Sequence, residues 1–160
     1  MTGPAFVTGG AGFAGRHLLA LLPAAVAPSR DELELLDARA VRAAIREAAP
    51  AVVFHLAAQA SVKRSWEAPA ETLGENVAVT ANLLEAVRLE APDAAVVVVG
   101  SGEVYGPPAR LPVEEDAALR PQNPYAVSKA ACDLLAGQYA DAFGLRILRM
   151  RPFNHAGPGQ

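Results

Sequence analysis

Short apolar runs alternate with longer stretches of helical period along the chain. Ala5-Phe6-Val7, Ala51 to Leu56, Ala94 to Val99 and Leu145 to Met150 are of strand length, and between them apolar residues recur three and four positions apart. The first run passes through Gly9, Gly10, Gly12 and Gly15 into a helix whose apolar positions begin at Leu18 and Leu19. Pro23 breaks that helix, and Ala24 to Ala27 reads as a second short strand ending near Pro28. Glu32 to Asp37 reads as a third strand or its remnant. Ala38 to Ala49 follows as a helix with Val41, Ile45 and Ala48 on one face; Asp37 either caps it or contacts an adenine. The AVVFHL run at 51–56 is continuous enough for a parallel strand covered on both faces. His55 inside it reads as a hydrogen-bonded core histidine, with a catalytic one as the alternative.

Val62 to Glu75, with Lys63, Arg64, Ser65 and Trp66, reads as a polar loop, after which Asn76 opens a helix that Pro92 ends. Pro107 to Pro121 is a proline-rich, acidic surface loop, of a length that usually marks function. Asn123 and Pro124 signal the start of a helix, and Gly144 its end after Phe143. This alternation predicts an α/β fold: one domain over residues 1–160, built on a right-handed, doubly wound parallel sheet of the Rossmann kind.

Composition narrows the classes. The chain has 160 residues, enough for one domain that buries roughly 70% of its unfolded surface without a disulfide or metal. An apolar fraction of 52% and a net charge of -3 argue against disorder and against a nucleic-acid partner bound through phosphates. No apolar run approaches a membrane span. Cys132, the single cysteine, has no internal partner and reads as a small packing residue, and Met1 to Pro4 leads straight into the first strand. A reducing, cytoplasmic setting is expected, with no metal.

The glycine turn suits a phosphate. Gly9 allows the reversal, Gly12 admits backbone close to a pyrophosphate and Gly15 lets helix pack on strand, while the helix N-terminus offers unpaired N–H groups. The G-x-x-G-x-x-G spacing is one residue longer in its first interval than the usual dinucleotide fingerprint. The alternative is a strand-helix turn that uses glycine only for packing. About 20 positions beyond the first glycine, an acid would bind a ribose 2′-hydroxyl and Arg or Ser a 2′-phosphate. Ser29-Arg30 stands there and tilts the expectation from NAD towards NADP, with Asp31 keeping NAD open. Ala57 and Ala58 are small enough for a cofactor to lie against their backbone.

Tyr125 and Lys129, at i and i+4, share one helix face. A lysine ammonium there favours the phenolate and can hold a ribose; Ser101, after a central strand, can bond the same substrate oxygen. Each feature alone also reads as ordinary surface packing or capping.

Taken together, TGGAGFAG (8–15), HLAAQ (55–59), the Asn76 helix, SGEVYG (101–106), YAVSK (125–129) and RPFNHAGPGQ (151–160) resemble the extended short-chain dehydrogenase/reductase superfamily. The similarity is to its NAD-dependent nucleotide-sugar epimerases, dehydratases and reductases, and it spans essentially the whole chain. It implies that Ser101, Tyr125 and Lys129 form the catalytic triad and that Gly9, Gly12, Phe13 and Gly15 line the pyrophosphate. It also implies that Leu56, Ala57, Ala58 and Asn76 border the cofactor with Ser29, Arg30 and Asp37, and that Phe153 approaches the nicotinamide or the sugar. Gln59, Ser61, Ser101 and Asn154 are the implied nucleotide-sugar contacts.

Within the superfamily, NPYAVSK followed by RPFNHAGPGQ looks most like the GDP-4-dehydro-6-deoxy-mannose reductases. GDP-mannose 4,6-dehydratases are the nearest rival, since Glu103 could remove a C5 proton; the bland reading of Glu103 is a loop carboxylate holding backbone N–H groups. The family pattern continues well beyond the PGQ segment and supplies most of the sugar pocket there. The expectation is therefore a fragment, a truncated product or a chain that works with another polypeptide, binding cofactor weakly and turning over poorly or not at all. A non-catalytic dinucleotide-binding module is the reading from another class. The resemblance also implies a homodimer through the helices near Asn76 and Tyr125, with Leu83, Val87, Leu134 and Leu135 on the contact face.

Overall fold

In a computed structural model, which describes residues 3–159, four parallel strands lie side by side in chain order. They are β1 (Ala5–Thr8), β2 (Val52–His55), β3 (Ala95–Val99) and β4 (Arg146–Met150). Met1, Thr2 and Gln160, the last residue of the RPFNHAGPGQ motif, fall outside the described residues. Thr8 pairs with His55 and His55 with Val98, so the carboxyl ends of the first three strands finish level. The loops that follow them emerge along one edge, which is where open parallel sheets place ligands.

Five helices connect the strands: α1 (Phe13–Leu21), α2 (Ala38–Ala48), α3 (Val62–Glu67), α4 (Pro69–Glu90) and α5 (Pro124–Phe143). Helix α4 packs against both α2 and α5. Phe6, Val53, Val96 and Val98 of the sheet meet Val41, Ile45, Leu83, Leu84 and Val87 of the helices in one apolar core. Glu90 at the end of α4 pairs with Arg42 and Arg46 of α2, clamping the two helices at the rim of that core.

The structure revises several expectations. The Ala24–Ala27 strand is reduced to a single bridge, Val26 to Phe6, because Pro23 and Pro28 confine the extended segment. Glu32 to Asp37 forms turns and no strand. Its carboxylates fold back on local backbone, Glu32 accepting from Ser29 N (2.8 Å) and Glu34 from Leu36 N (3.0 Å), which closes turns instead of a ladder. The 62–75 stretch is helical: Ser61 caps α3, and Pro69 then opens α4 at its first position, so Asn76 lies within α4 and does not start it.

In β2, Val53 and His55 are buried while Val52 and Phe54 are half-buried, so the second face is less completely covered than a continuous apolar run implies. Leu83 and Val87 have no exposure and Leu135 packs on the core, leaving only Leu134 of the four expected contact residues at the surface. Cys132 is buried, as expected for a packing residue. Among the described residues no helix is long and apolar enough to cross a membrane.

Candidate functional site

A cleft of about 1010 Å³ runs along the carboxyl ends of β1, β2 and β3. At one end is the glycine turn. Gly9 has φ +74°, and a Cβ there would stand 2.7 Å from Ala57 N; a Cβ on Gly15 would stand 2.3 Å from Gly9 O. Both positions therefore require glycine, one for conformation and the other for the contact between helix and turn. A Cβ on Gly12 would meet only Gly9 O, at 3.2 Å, and otherwise open space, so this backbone faces the cleft. Helix α1 begins there with no side chain capping it, and its first-turn N–H groups stay available to an anion. A close-approach turn leading into an uncapped helix fits a pyrophosphate.

Phe13, Ser29, Arg30, Leu56, Ala57 and Ala58 also line the cleft. Asp37 does not: its carboxylate caps α2, accepting from Arg39 N at 2.9 Å and Ala40 N at 3.1 Å. Of the two readings of Asp37, the cap is the one these hydrogen bonds show. The exposed Arg30 guanidinium is 3.9 Å from the Glu34 carboxylate.

Asn76 reaches the cleft from the buried side of α4 and uses both ends of its amide. Its oxygen accepts from Gln59 N (2.8 Å), and its nitrogen donates to Gln59 O (3.1 Å) and to Ser128 Oγ (2.9 Å). Gln59 turns its own amide to Thr72, to the Ser61 carbonyl and to Ser61 N, so the 59–61 loop is tied down from within. Ser61 caps α3, accepting from Arg64 N at 3.2 Å.

The other end of the cleft holds Ser101, Glu103, Tyr125, Lys129, Phe153 and Asn154. Ser101 follows β3 and caps a 3-10 turn (Gly102–Tyr105), accepting from Glu103 N at 3.2 Å. Tyr125 and Lys129 lie on α5, whose start is capped by Asn123. Burial pushes the Tyr125 phenol above its ordinary value, a hydrogen bond from Ser101 works the other way, and the Glu103 carboxylate adds to the rise. This corrects the expectation that Lys129 draws the phenol down. Lys129 is itself 7% exposed and held below its ordinary value by burial; the groups that feel its charge are His55 and Cys132. Ser101, Tyr125 and Lys129 do line one cleft, with the lysine set deeper than the i, i+4 spacing discloses.

The tail after β4 returns across the cleft mouth to α1. His155 stacks on Phe13 with ring centroids 6.1 Å apart, His17 Nε2 donates to Pro158 O at 3.0 Å, and Arg16 donates to Gly159 O at 2.9 Å. At its root, Arg151 forks onto the buried Asp133 carboxylate of α5 (2.9 and 2.8 Å) and also donates to Tyr105 Oη (2.7 Å) and Glu115 O (2.8 Å). Sequence reasoning missed Thr8, Arg64 and Gly100 in the lining. For Thr8 the signal was its place between strand and first glycine; Arg64 was hidden by the misread loop.

A family model described as the NAD dependent epimerase/dehydratase family matches residues 5–160. The GDP-6-deoxy-D-mannose reductase of Pseudomonas aeruginosa is 41% identical over all of this chain, which covers 55% of that relative. A UDP-glucose 4-epimerase of Mycolicibacterium smegmatis is 37% identical over 84% of the chain, covering 44% of its own length. Among solved structures, RMD from Pseudomonas aeruginosa complexed with NADPH superposes with a TM-score of 0.88 at 39% identity, over 99% of this chain and 56% of that one. A UDP-glucose 4-epimerase from Brucella ovis in complex with NAD also gives 0.88, at 34% identity, over 96% and 52%. The chain spans about half the length of the relatives it matches. With the parallel sheet and its level strand ends, these matches establish that the chain belongs to the NAD dependent epimerase/dehydratase family.

Proposed function

We propose that this chain is the dinucleotide-binding half of a nucleotide-sugar oxidoreductase that reduces the 4-keto group of a GDP-4-dehydro-6-deoxy-mannose type sugar. The observation that carries it is the single cleft that has a pyrophosphate turn at one end and Ser101, Tyr125 and Lys129 at the other. Bound there, a nicotinamide dinucleotide supplies or accepts a hydride. Gly9, Gly12 and the N-terminus of α1 hold its pyrophosphate, Ser29 and Arg30 favour NADP over NAD, and the backbone at Ala57 and Ala58 forms the floor. Tyr125, raised above its ordinary value, keeps its proton at neutral pH and delivers it to the oxygen of the carbonyl being reduced; Ser101 bonds the same oxygen. Lys129 holds the ribose hydroxyls. Gln59, Ser61 and Asn154 border the space left for the sugar, and the exposed Leu134 supports a second copy as partner of α5.

The reductase reading is supported by identity over the full chain to the Pseudomonas aeruginosa reductase, against partial coverage for the epimerase. One observation favours a dehydratase as the second reading: Glu103 lines the cleft beside Tyr125 with an exposed carboxylate held by Asn123 Nδ2 at 2.8 Å. Following cofactor absorbance with NADPH and the keto sugar, on a protein that contains this chain and spans the full length of its relatives, tests the assignment. Tyr125→Phe is expected to lower the rate by about 100-fold or more while changing NADPH affinity less than about threefold. A rate indifferent to the substitution would sink the catalytic assignment and favour the non-catalytic binding module, whereas conversion of GDP-mannose to the 4-keto-6-deoxy sugar with no net consumption of cofactor would favour the dehydratase.

A further inference from the structure

His55 is 3% exposed, stands level with Thr8 at the strand ends, and has both ring nitrogens engaged. Nδ1 is 2.8 Å from Thr8 Oγ1 and Nε2 is 3.1 Å from Thr80 Oγ1. Each hydroxyl has one proton to give. That of Thr80 goes to the Asn76 carbonyl, 2.9 Å away and one turn back on α4, which is a better acceptor than the Cys132 sulfur at 3.3 Å. The Thr80 oxygen must then receive from the ring, so Nε2 carries the imidazole proton. Nδ1 is left bare and accepts from the Thr8 hydroxyl, whose oxygen accepts from Ala57 N at 3.4 Å. Run the other way, the chain leaves Thr8 accepting twice with its own proton unspent, in a residue 2% exposed. Among the described residues no buried side-chain polar atom lacks a partner, and only the first direction keeps that true for protons as well.

Ala57 is where the loop after β2 passes closest to the glycine turn, so whatever fixes Thr8 and Ala57 fixes the depth of the cleft beneath Gly9. We propose that His55 is a positioning residue: in its Nε2–H form it passes a one-way chain of hydrogen bonds between α4 and the Thr8-Ala57 floor, setting the surface on which a dinucleotide rests. The positioning role rests on the dinucleotide reading above; the direction of the chain does not.

Two measurements test it. Imidazole ¹⁵N–¹H correlation spectra of the labelled chain, with the His55 signal identified by its loss in His55→Asn, are expected to show the Nε2–H tautomer. An Nδ1–H tautomer or a charged ring at neutral pH would overturn the chain. For the role, Asn can place its amide oxygen where Nδ1 was and keep the Thr8 link, whereas Gln reaches only the Thr80 side. His55→Asn is therefore expected to weaken NADPH binding less than about threefold and His55→Gln by about tenfold, roughly the worth of one buried hydrogen bond. Equal affinity in the two variants would overturn the positioning role. If the Gln variant does not fold, Thr8→Ser and Thr8→Val make the same comparison, with Val expected to lose about tenfold and Ser to keep binding. Failure of the unmodified chain to bind NADPH or NADH would overturn the dinucleotide reading and the positioning role together, with the tautomer still deciding the hydrogen-bond chain.

Discussion

Strands β1 to β3 and strand β4 share one parallel sheet but are secured by different forces. The first three contribute Phe6, Val53 and Val96, all at most 1% exposed, to a core closed by α2 and α4. In β4, Leu148 is 59% and Met150 44% exposed, and only Ile147 packs partly on the core. What secures β4 and the tail is ionic and directional: Arg149 and Arg151 on the Asp133 carboxylate, then Arg151 on Tyr105 and Glu115. The glycine-turn end of the cleft thus rests on apolar burial, and the end holding Phe153 and Asn154 leans on the Arg149 and Arg151 guanidiniums together with the contacts of the tail to α1. Burial tolerates small errors of direction; a bidentate pair does not.

The sharpest way to break this contrast is in the core. Leu84→Ala is expected to cost about 3 kcal/mol of unfolding free energy in urea titration, within the usual range for a fully buried leucine. Arg151→Met should cost less globally, about 2 kcal/mol, because Arg149 remains on the stranded Asp133 carboxylate. Its hydrogen-exchange signature should be local, with protection lost around 105–121 and 151–155 while β1 and β2 keep theirs.

Acid separates the regions differently. Burial and the Lys129 charge hold His55 at about 3 against an ordinary 6.5, so the fold keeps the neutral ring. With the folded value depressed, the His55 share of stability is complete above about pH 6.5 and is lost as the pH falls towards 3, at up to about 1.4 kcal/mol per unit. Glu90, lowered to about 2 by Arg46 and Arg42, adds its own loss only below its ordinary 4.5. Unfolding followed at stepped pH should therefore begin to weaken between 6.5 and 4.5, and His55→Asn should flatten that part of the curve. The smallest effect belongs to β4: Leu148→Thr should change stability by no more than about 0.5 kcal/mol, since the side chain is largely in water already. A larger loss would mean that β4 shares the apolar core after all.

The residues disclose the two regions unequally. The glycine turn, the strands and the Tyr125-Lys129 pair could be read because each depends on local spacing: a turn needing φ above zero, a run of apolar residues, two side chains one turn apart. Helix α3 and the first two turns of α4 were hidden because Lys63, Arg64, Glu71 and Glu75 make them polar, and what supports them is packing on neighbouring helices, the Ser61 cap of α3 and Pro69 at the first position of α4. ELELLD alternates like a strand, yet its carboxylates close turns on their own backbone. The electrostatics of Lys129 were out of reach for another reason: its strongest influence, burial, comes from residues distant in sequence.

Asn123 has a consequence for the loop that precedes it. Its oxygen accepts from Ala126 N at 2.7 Å, starting α5, and its nitrogen donates to Glu103 at 2.8 Å. Arg120 N donates to Val104 O at 2.9 Å and closes the same neck. The excursion from 107 to 119 therefore leaves and returns through a narrow neck, at which the Asn123 amide ties Glu103 to the start of α5. A change confined to the tip of that loop, clear of Glu115 and of the Val113, Ala117 and Leu119 contacts with Val104 and Tyr105, would leave this neck as it is.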